Sequence, residues 1–195
     1  MPRLGGLRLG KAEMFLELDR YLDTADGRLA AARWACRLRY RSRRYLVSLK
    51  GPDAGVTGGL EGALHRRPEI EGPANASLDP DDWPDSPARS RLLGFTGGEP
   101  LGERFVLRQL RTQRTVLRGR KHVGTLSLDR VRVVQHGEPL GTLWCVELEL
   151  QAAAAVPDDE AMRALLADLM AVGGLDVEPF TKLERARALM DHVSA

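Results

Sequence analysis

Three arginines occupy alternate positions of one short run, Arg37, Arg39 and Arg41 in "ACRLRYR", and Lys50 follows in the next run. Alternate residues of an extended chain share a face, so the guanidiniums line one side and Cys36, Leu38 and Tyr40 the other. "WCVELEL" repeats the pattern with acid: Glu147 and Glu149 lie together, opposite Trp144, Val146, Leu148 and Leu150. "HRRPEIEG" puts Arg67, Glu69 and Glu71 on one face, and "TLSLDR" sets Thr125, Ser127 and Asp129 against Leu126 and Leu128. The run from Arg104 adds Arg108, Gln113, Arg114 and Arg118. Clustering by sign costs stability unless opposite charge sits nearby. Guanidiniums grip phosphate oxygens, and carboxylates hold Mg²⁺ or Mn²⁺ through hard oxygen ligands. The set therefore suits an anionic ligand chelated to a divalent metal.

A second reading starts from the same alternation. An antiparallel sheet with one solvated side shows it too, and so does the inside of a barrel. Periodicity does not decide which face is inside. Other chemistries find less support. His65, His122, His136 and His192 lack zinc-site spacing, and the glycines at 55–59 lack the GK[ST] ending of a phosphate loop. Cys36 and Cys145 are far apart within apolar patterns and read as buried free thiols. Trp34, Trp83 and Trp144 read as core or helix-packing residues.

The elements that must position these residues are mostly strands. Runs at 13–20 and 33–50 flank a short helical stretch around "DTADGRLAAA", and a strand is predicted from about Ala63 to Glu71. Residues 72–103 are rich in Pro, Asp, Ser and Gly and carry a short helix, with Ser86 as its cap and Pro87 at its first position. Strands at about 104–118, 122–134 and 142–151 follow, with hairpin-like breaks at "RGRKH" and "QHGEPLG". Then Met162, Leu165, Leu166, Leu169 and Met170 take a helical period that Gly173–Gly174 stops. Thr181 and Glu184 have capping-box spacing at the start of a last helix. The fold class is α+β.

Composition fits one globular domain over 1–195: 43% of the residues are hydrophobic and 29% charged. A net charge of only +2 gives no bulk attraction to nucleic acid. No run approaches the ~20 apolar residues of a membrane span, and the first residues lack a signal-peptide core, so neither membrane nor secretion is expected and the location predicted is cytoplasmic.

The ordered motifs "DRYLDTADGRLAAARWACRLRYRSRRYLVSLKGP", "HRRPEIE", "QRTVL", "LSLD", "VELEL" and "TKLERA" resemble the CYTH domain, or triphosphate tunnel metalloenzymes, from about Asp19 to Arg187. That family holds inorganic triphosphatases, thiamine triphosphatases and class IV adenylate cyclases. The resemblance implies an antiparallel β-barrel with a charged tunnel and helices packed outside. It implies that Arg37, Arg39, Lys50, Arg67, Arg114 and Lys182 bind triphosphate. Glu69, Glu71, Asp129, Glu147 and Glu149 match acidic positions. Glu147, Glu149 and Asp129 would hold Mg²⁺ or Mn²⁺, and Glu147 and Glu149 would be catalytic. Arg41, Arg43 and Arg44 would be rim charges.

One departure stands out. The family's signature ExExK strand near the N-terminus is absent, and Glu17 in "MFLELD" directly precedes "YLDT" and so aligns with the family's next strand. Either a strand upstream of Met1 supplies it, or the barrel is open there, with an edge for a rearranged segment or a second copy in a homodimer. The function implied is metal-dependent hydrolysis of a triphosphate compound or polyphosphate, with activity hanging on that strand. The alternatives are a polyphosphate- or nucleotide-binding module without turnover, and a class IV adenylate cyclase.

Overall fold

The computed structural model describes residues 2–4, 6–52, 67–150, 166–171 and 174–193. Its strands are β1 (Arg3–Leu4), β2 (Leu7–Leu9), β3 (Glu13–Thr24), β4 (Ala35–Arg41), β5 (Arg44–Lys50), β6 (Glu69–Ala74), β7 (Leu101–Arg118), β8 (Lys121–Gln135) and β9 (Glu138–Leu150). Three helices bear on the argument: α1 (Arg28–Ala31), α2 (Pro87–Thr96) and α3 (Lys182–Val193). All strand pairs are antiparallel, in the order β9-β8-β7-β3-β4-β5-β6. The β1–β2 hairpin, which sequence reasoning did not foresee, continues the line of β3 beside β7. Tight turns set the registers: Ser42 and Arg43 both have positive φ (50° and 63°), as do His136 and Gly137 (51° and 87°). Two-residue turns of that kind match the twist of paired strands.

The sheet curls strongly. β5 and β9 are five strands apart, which in a flat sheet would separate them by about 24 Å. Yet the Glu149 charge acts on Lys50, and Arg67, just before β6, reaches Glu184 of α3 at 3.7 Å. The free edges of β6 and β9 thus approach each other without any pairing between them among the described residues. The barrel is open.

Two apolar clusters use opposite faces of the sheet. Outside, Cys36, Leu38, Val47 and Leu49 pack under Ala88 and Leu92 of α2. Each fully buried leucine here contributes about 2 kcal/mol. Ser86 caps α2 by accepting the Arg89 N–H at 3.1 Å, and Gly97 ends the helix at φ 60°, where a side chain would be strained. Inside, Tyr21, Phe105, Leu107, Val131, Val133 and Leu143 pack against Leu183, Ala186, Leu189 and Met190. α2 is therefore external as expected, whereas α3 stoppers one end of the inner face. Its capping box forms in both directions, with Thr181 N–H to Glu184 at 2.8 Å and Glu184 N–H to Thr181 at 3.3 Å.

Residues 166–170 are helical and Leu169 packs on a third cluster around Leu4, Leu7, Leu9, Val116 and Val123. Met162 and Leu165 of that predicted helix, the glycines at 55–59, His65 and the first residues of the strand predicted from Ala63 lie outside the described residues. Trp83 is buried and Trp34 half-buried, but Trp144 is 61% exposed on the outer face, under Arg130. That corrects its core assignment: its neighbours on that face, Leu16, Leu110 and Leu128, are exposed as well.

Candidate functional site

The strand registers put acid beside base. β3 places Asp19 opposite Arg39 and Glu17 opposite Arg41, and the side chains of all four point to the inner face. Asp19 accepts two hydrogen bonds from Arg39, both at 2.6 Å, and a third from Gln109 at 2.6 Å. Burial pushes the Asp19 carboxyl up, but the Arg39 hydrogen bonds and the charges of Arg37, Arg39 and Lys182 outweigh it and hold the group below the usual carboxylate range. Glu17 has a fully buried side chain, with one oxygen 2.9 Å from Arg41 and the other 3.2 Å from Arg39.

On the β5–β6 side, Arg37 donates to Ser48 at 2.9 Å and lies 3.4 Å from Glu69 and 3.8 Å from Glu71. Ser48 in turn donates to Glu71 at 2.8 Å. Lys50 meets Glu69 at 3.2 Å. Desolvation and then the Arg37 charge lower the Lys50 ammonium below the ordinary lysine value, against the pull of Glu69 and Glu149.

On the β7–β9 side, Arg111 grips Asp129 with two hydrogen bonds of 2.8 and 2.7 Å and lies 3.2 Å from Glu147. Lys182, from the first turn of α3, reaches Asp129 at 2.6 Å, Glu147 at 3.0 Å and Gln109 at 3.3 Å. Desolvation works against the Lys182 charge, but Glu147 and Asp129 more than offset it and raise the ammonium above its ordinary value. At Asp129 the balance runs the other way: burial raises the carboxyl, and Arg111 with Lys182 pulls it below the usual range.

One inner face thus gathers Arg37, Arg39, Lys50, Lys182, Glu69, Glu71, Asp129, Glu147 and Glu149. Arg67 stands at its rim, against Glu184. Arg114 does not join them. It sits on the outer face of β7 and donates to the Gly10 carbonyl at 2.7 Å, and the inner positions of that strand are Gln109, Arg111 and Gln113. The physical reason is register: β7 carries polar residues on both faces, so its alternation names neither side. Sequence reasoning also missed Glu17 and Asp19, and took Arg41, which pairs with Glu17, for a rim charge. The counting frame that finds Arg111 is Leu107, fully buried two positions before Gln109. Asp23 and Thr24 of "YLDT" serve the fold, since Asp23 accepts the Leu29 and Ala30 N–H groups and Thr24 accepts that of Arg28, tying down α1.

No three His, Cys, Asp or Glu groups converge on a metal position among the described residues. Asp129 spends both oxygens on Arg111 and Lys182, so it fits a counter-ion better than a ligand. Glu147 and Glu149, paired on one strand face and partly exposed, fit Mg²⁺ or Mn²⁺, which usually takes one or two carboxylates together with substrate phosphates.

Among solved structures, a putative adenylyl cyclase from Hippeastrum, HpAC1, described as having a dominant triphosphatase activity, is 20% identical, covers 90% of this chain and 83% of its own, and superposes with a TM-score of 0.67. A putative adenylate cyclase from Bacillus halodurans is 16% identical, with 88% and 82% covered and a TM-score of 0.55. At these identities the likeness shows the fold. No curated protein matches the sequence significantly. The family model of the CYTH domain matches residues 4–185, which takes in β2 and the first half of β3 ahead of the motifs read from sequence. The chain belongs to the CYTH domain family.

Proposed function

We propose that the inner face binds a triphosphate compound together with a divalent metal and hydrolyses it. The observation that carries this is the charge inventory of the face. Arg37, Arg39, Arg41, Lys50, Arg111 and Lys182 stand against Glu17, Asp19, Glu69, Glu71, Asp129, Glu147 and Glu149, six cations against seven carboxylates. A triphosphate brings about four more negative charges, so it fits as a metal complex and not as a free anion. Mg²⁺ or Mn²⁺, held by Glu147 and Glu149 with phosphate oxygens, would neutralise charge on the transferred phosphoryl group.

The chain's own residues do the positioning. Arg37 keeps its Nε buried with no hydrogen-bond partner, a donor to spare for a phosphate oxygen. Arg39 and Lys182 stand on either side of the Asp19–Gln109 hydrogen bond and can hold phosphoryl oxygens, and Lys50 on β5, with Arg67 just before β6, adds cations toward that edge. The apolar floor of Tyr21, Phe105 and Leu107 keeps water from the far end. Purified protein with Mg²⁺ or Mn²⁺ is expected to release phosphate from tripolyphosphate, and Glu147→Ala to reduce release at least 100-fold. Absence of release from the wild-type chain overturns hydrolysis.

A binding module without turnover is the second reading, favoured by the engagement of both Asp129 oxygens and the missing three-carboxylate cluster among the described residues. Calorimetry showing tripolyphosphate binding without phosphate release selects it. Product analysis with ATP tests for the cyclase reaction.

A further inference from the structure

The least comfortable group of the inner face is Glu17. The residue is 3% exposed, and its Oε2 accepts no hydrogen bond although Arg39 lies 3.2 Å and Arg111 3.8 Å away. Its other oxygen takes the Arg41 guanidinium at 2.9 Å. A buried carboxylate oxygen left without an aligned donor is costly, and a side chain serving only the fold would settle into better geometry. The three guanidiniums do not depend on it. Arg39 is gripped by Asp19, Arg111 by Asp129, and Arg41 donates to Gln113 at 3.2 Å while stacking over Phe15. With Glu17 withdrawn, Arg41 would be left with a free donor, and Arg39 and Arg111 would stand 3.2 and 3.8 Å from the vacated oxygen position, a gathering of positive charge that suits a tetrahedral group with several acceptor oxygens.

We propose that the Glu17 carboxylate is a tethered stand-in for a phosphoryl group: it fills the anion position made by Arg39, Arg41 and Arg111 in the free protein, and an incoming phosphate chain displaces it. This rests on the reading of the inner face as a triphosphate site and assigns one phosphoryl position within it, with Glu17 as the competitor that sets affinity for the longer chain. Removing the Glu17 charge therefore strengthens binding of a phosphate chain that occupies this position.

The test is calorimetric titration of sodium tripolyphosphate, with Mg²⁺ present, into the wild-type chain, Glu17→Gln and the control Glu103→Gln, which removes the same charge from a residue that pairs with Arg20 away from the inner face. Glu17→Gln is expected to lower the tripolyphosphate Kd at least tenfold, with Glu103→Gln changing it less than threefold. Equal or weaker binding by Glu17→Gln, or an equal gain in Glu103→Gln, overturns the stand-in while the triphosphate site survives. Absence of binding by all three proteins overturns both. Should Glu17→Gln not fold, Glu17→Asp, too short to span the cage, is read against the same outcomes.

Discussion

Asp129 answers to two cations at once, and its side chain has no solvent exposure. Removing one member of a buried ion pair leaves the others uncompensated, at a cost of about 3–5 kcal/mol. Asp129→Ala is therefore expected to lose roughly 3 kcal/mol of stability in urea unfolding, as Arg111 and Lys182 are left facing each other across the gap. A loss below 1 kcal/mol would mean that Glu147 alone can hold both. The same pairing separates the acidic residues by burial: Asp129 organises cations from within, and Glu147, whose Oε2 meets the same Arg111 and Lys182, stands with Glu149 on the exposed side of β9.

At the scale of elements, β4 was legible because apolar and cationic residues alternate along it without a break. β3 was not, because a charged interior inverts the usual rule that apolar residues mark the inside. Met14 and Leu16 are 71% and 79% exposed while Glu17 and Asp19 are buried, so "EMFLELD" reads backwards when only hydrophobicity is weighed. The helix caps were legible because they depend on neighbours in sequence, whereas the inner face joins residues from seven strands and α3. Gly72 of β6 shows a packing constraint that sequence does not: a Cβ there would sit 2.4 Å from Ser86 Oγ and 2.8 Å from its Cβ. Gly72→Val is expected to push the capped start of α2 off the sheet and cost about 1–3 kcal/mol. Circular dichroism melting checks it, and an unchanged melting temperature would show that α2 shifts freely.

For the whole molecule, the inner network couples stability to pH. Asp19 and Asp129 both titrate below their ordinary value of 3.8 in the folded chain. A carboxyl with a depressed folded pKa stabilises fully above its unfolded value and loses that contribution as pH falls through the folded one. The sign reverses for Lys182, whose raised pKa stabilises below the ordinary 10.5 and is lost as pH rises beyond it. Stability is thus expected to hold from about pH 5 to 9 and to fall below about pH 4, with Asp19→Asn flattening the acid limb. Denaturant midpoints measured across pH decide this, and an acid limb unchanged in Asp19→Asn would remove Asp19 from the account.

The placement of the three tryptophans also determines what a fluorescence experiment on this protein sees. Trp83 and Trp34 belong to the cluster under α2, and Trp144 already meets water in the native state. A change in emission on unfolding therefore reports the α2 side of the sheet, and the ion-paired interior contains no tryptophan to signal its own collapse. A partly unfolded chain with its binding face lost and its α2 cluster intact would still look native by intrinsic emission. Stability of the site and stability of the fold are separate observables here, and only a bound-ligand signal reads the first.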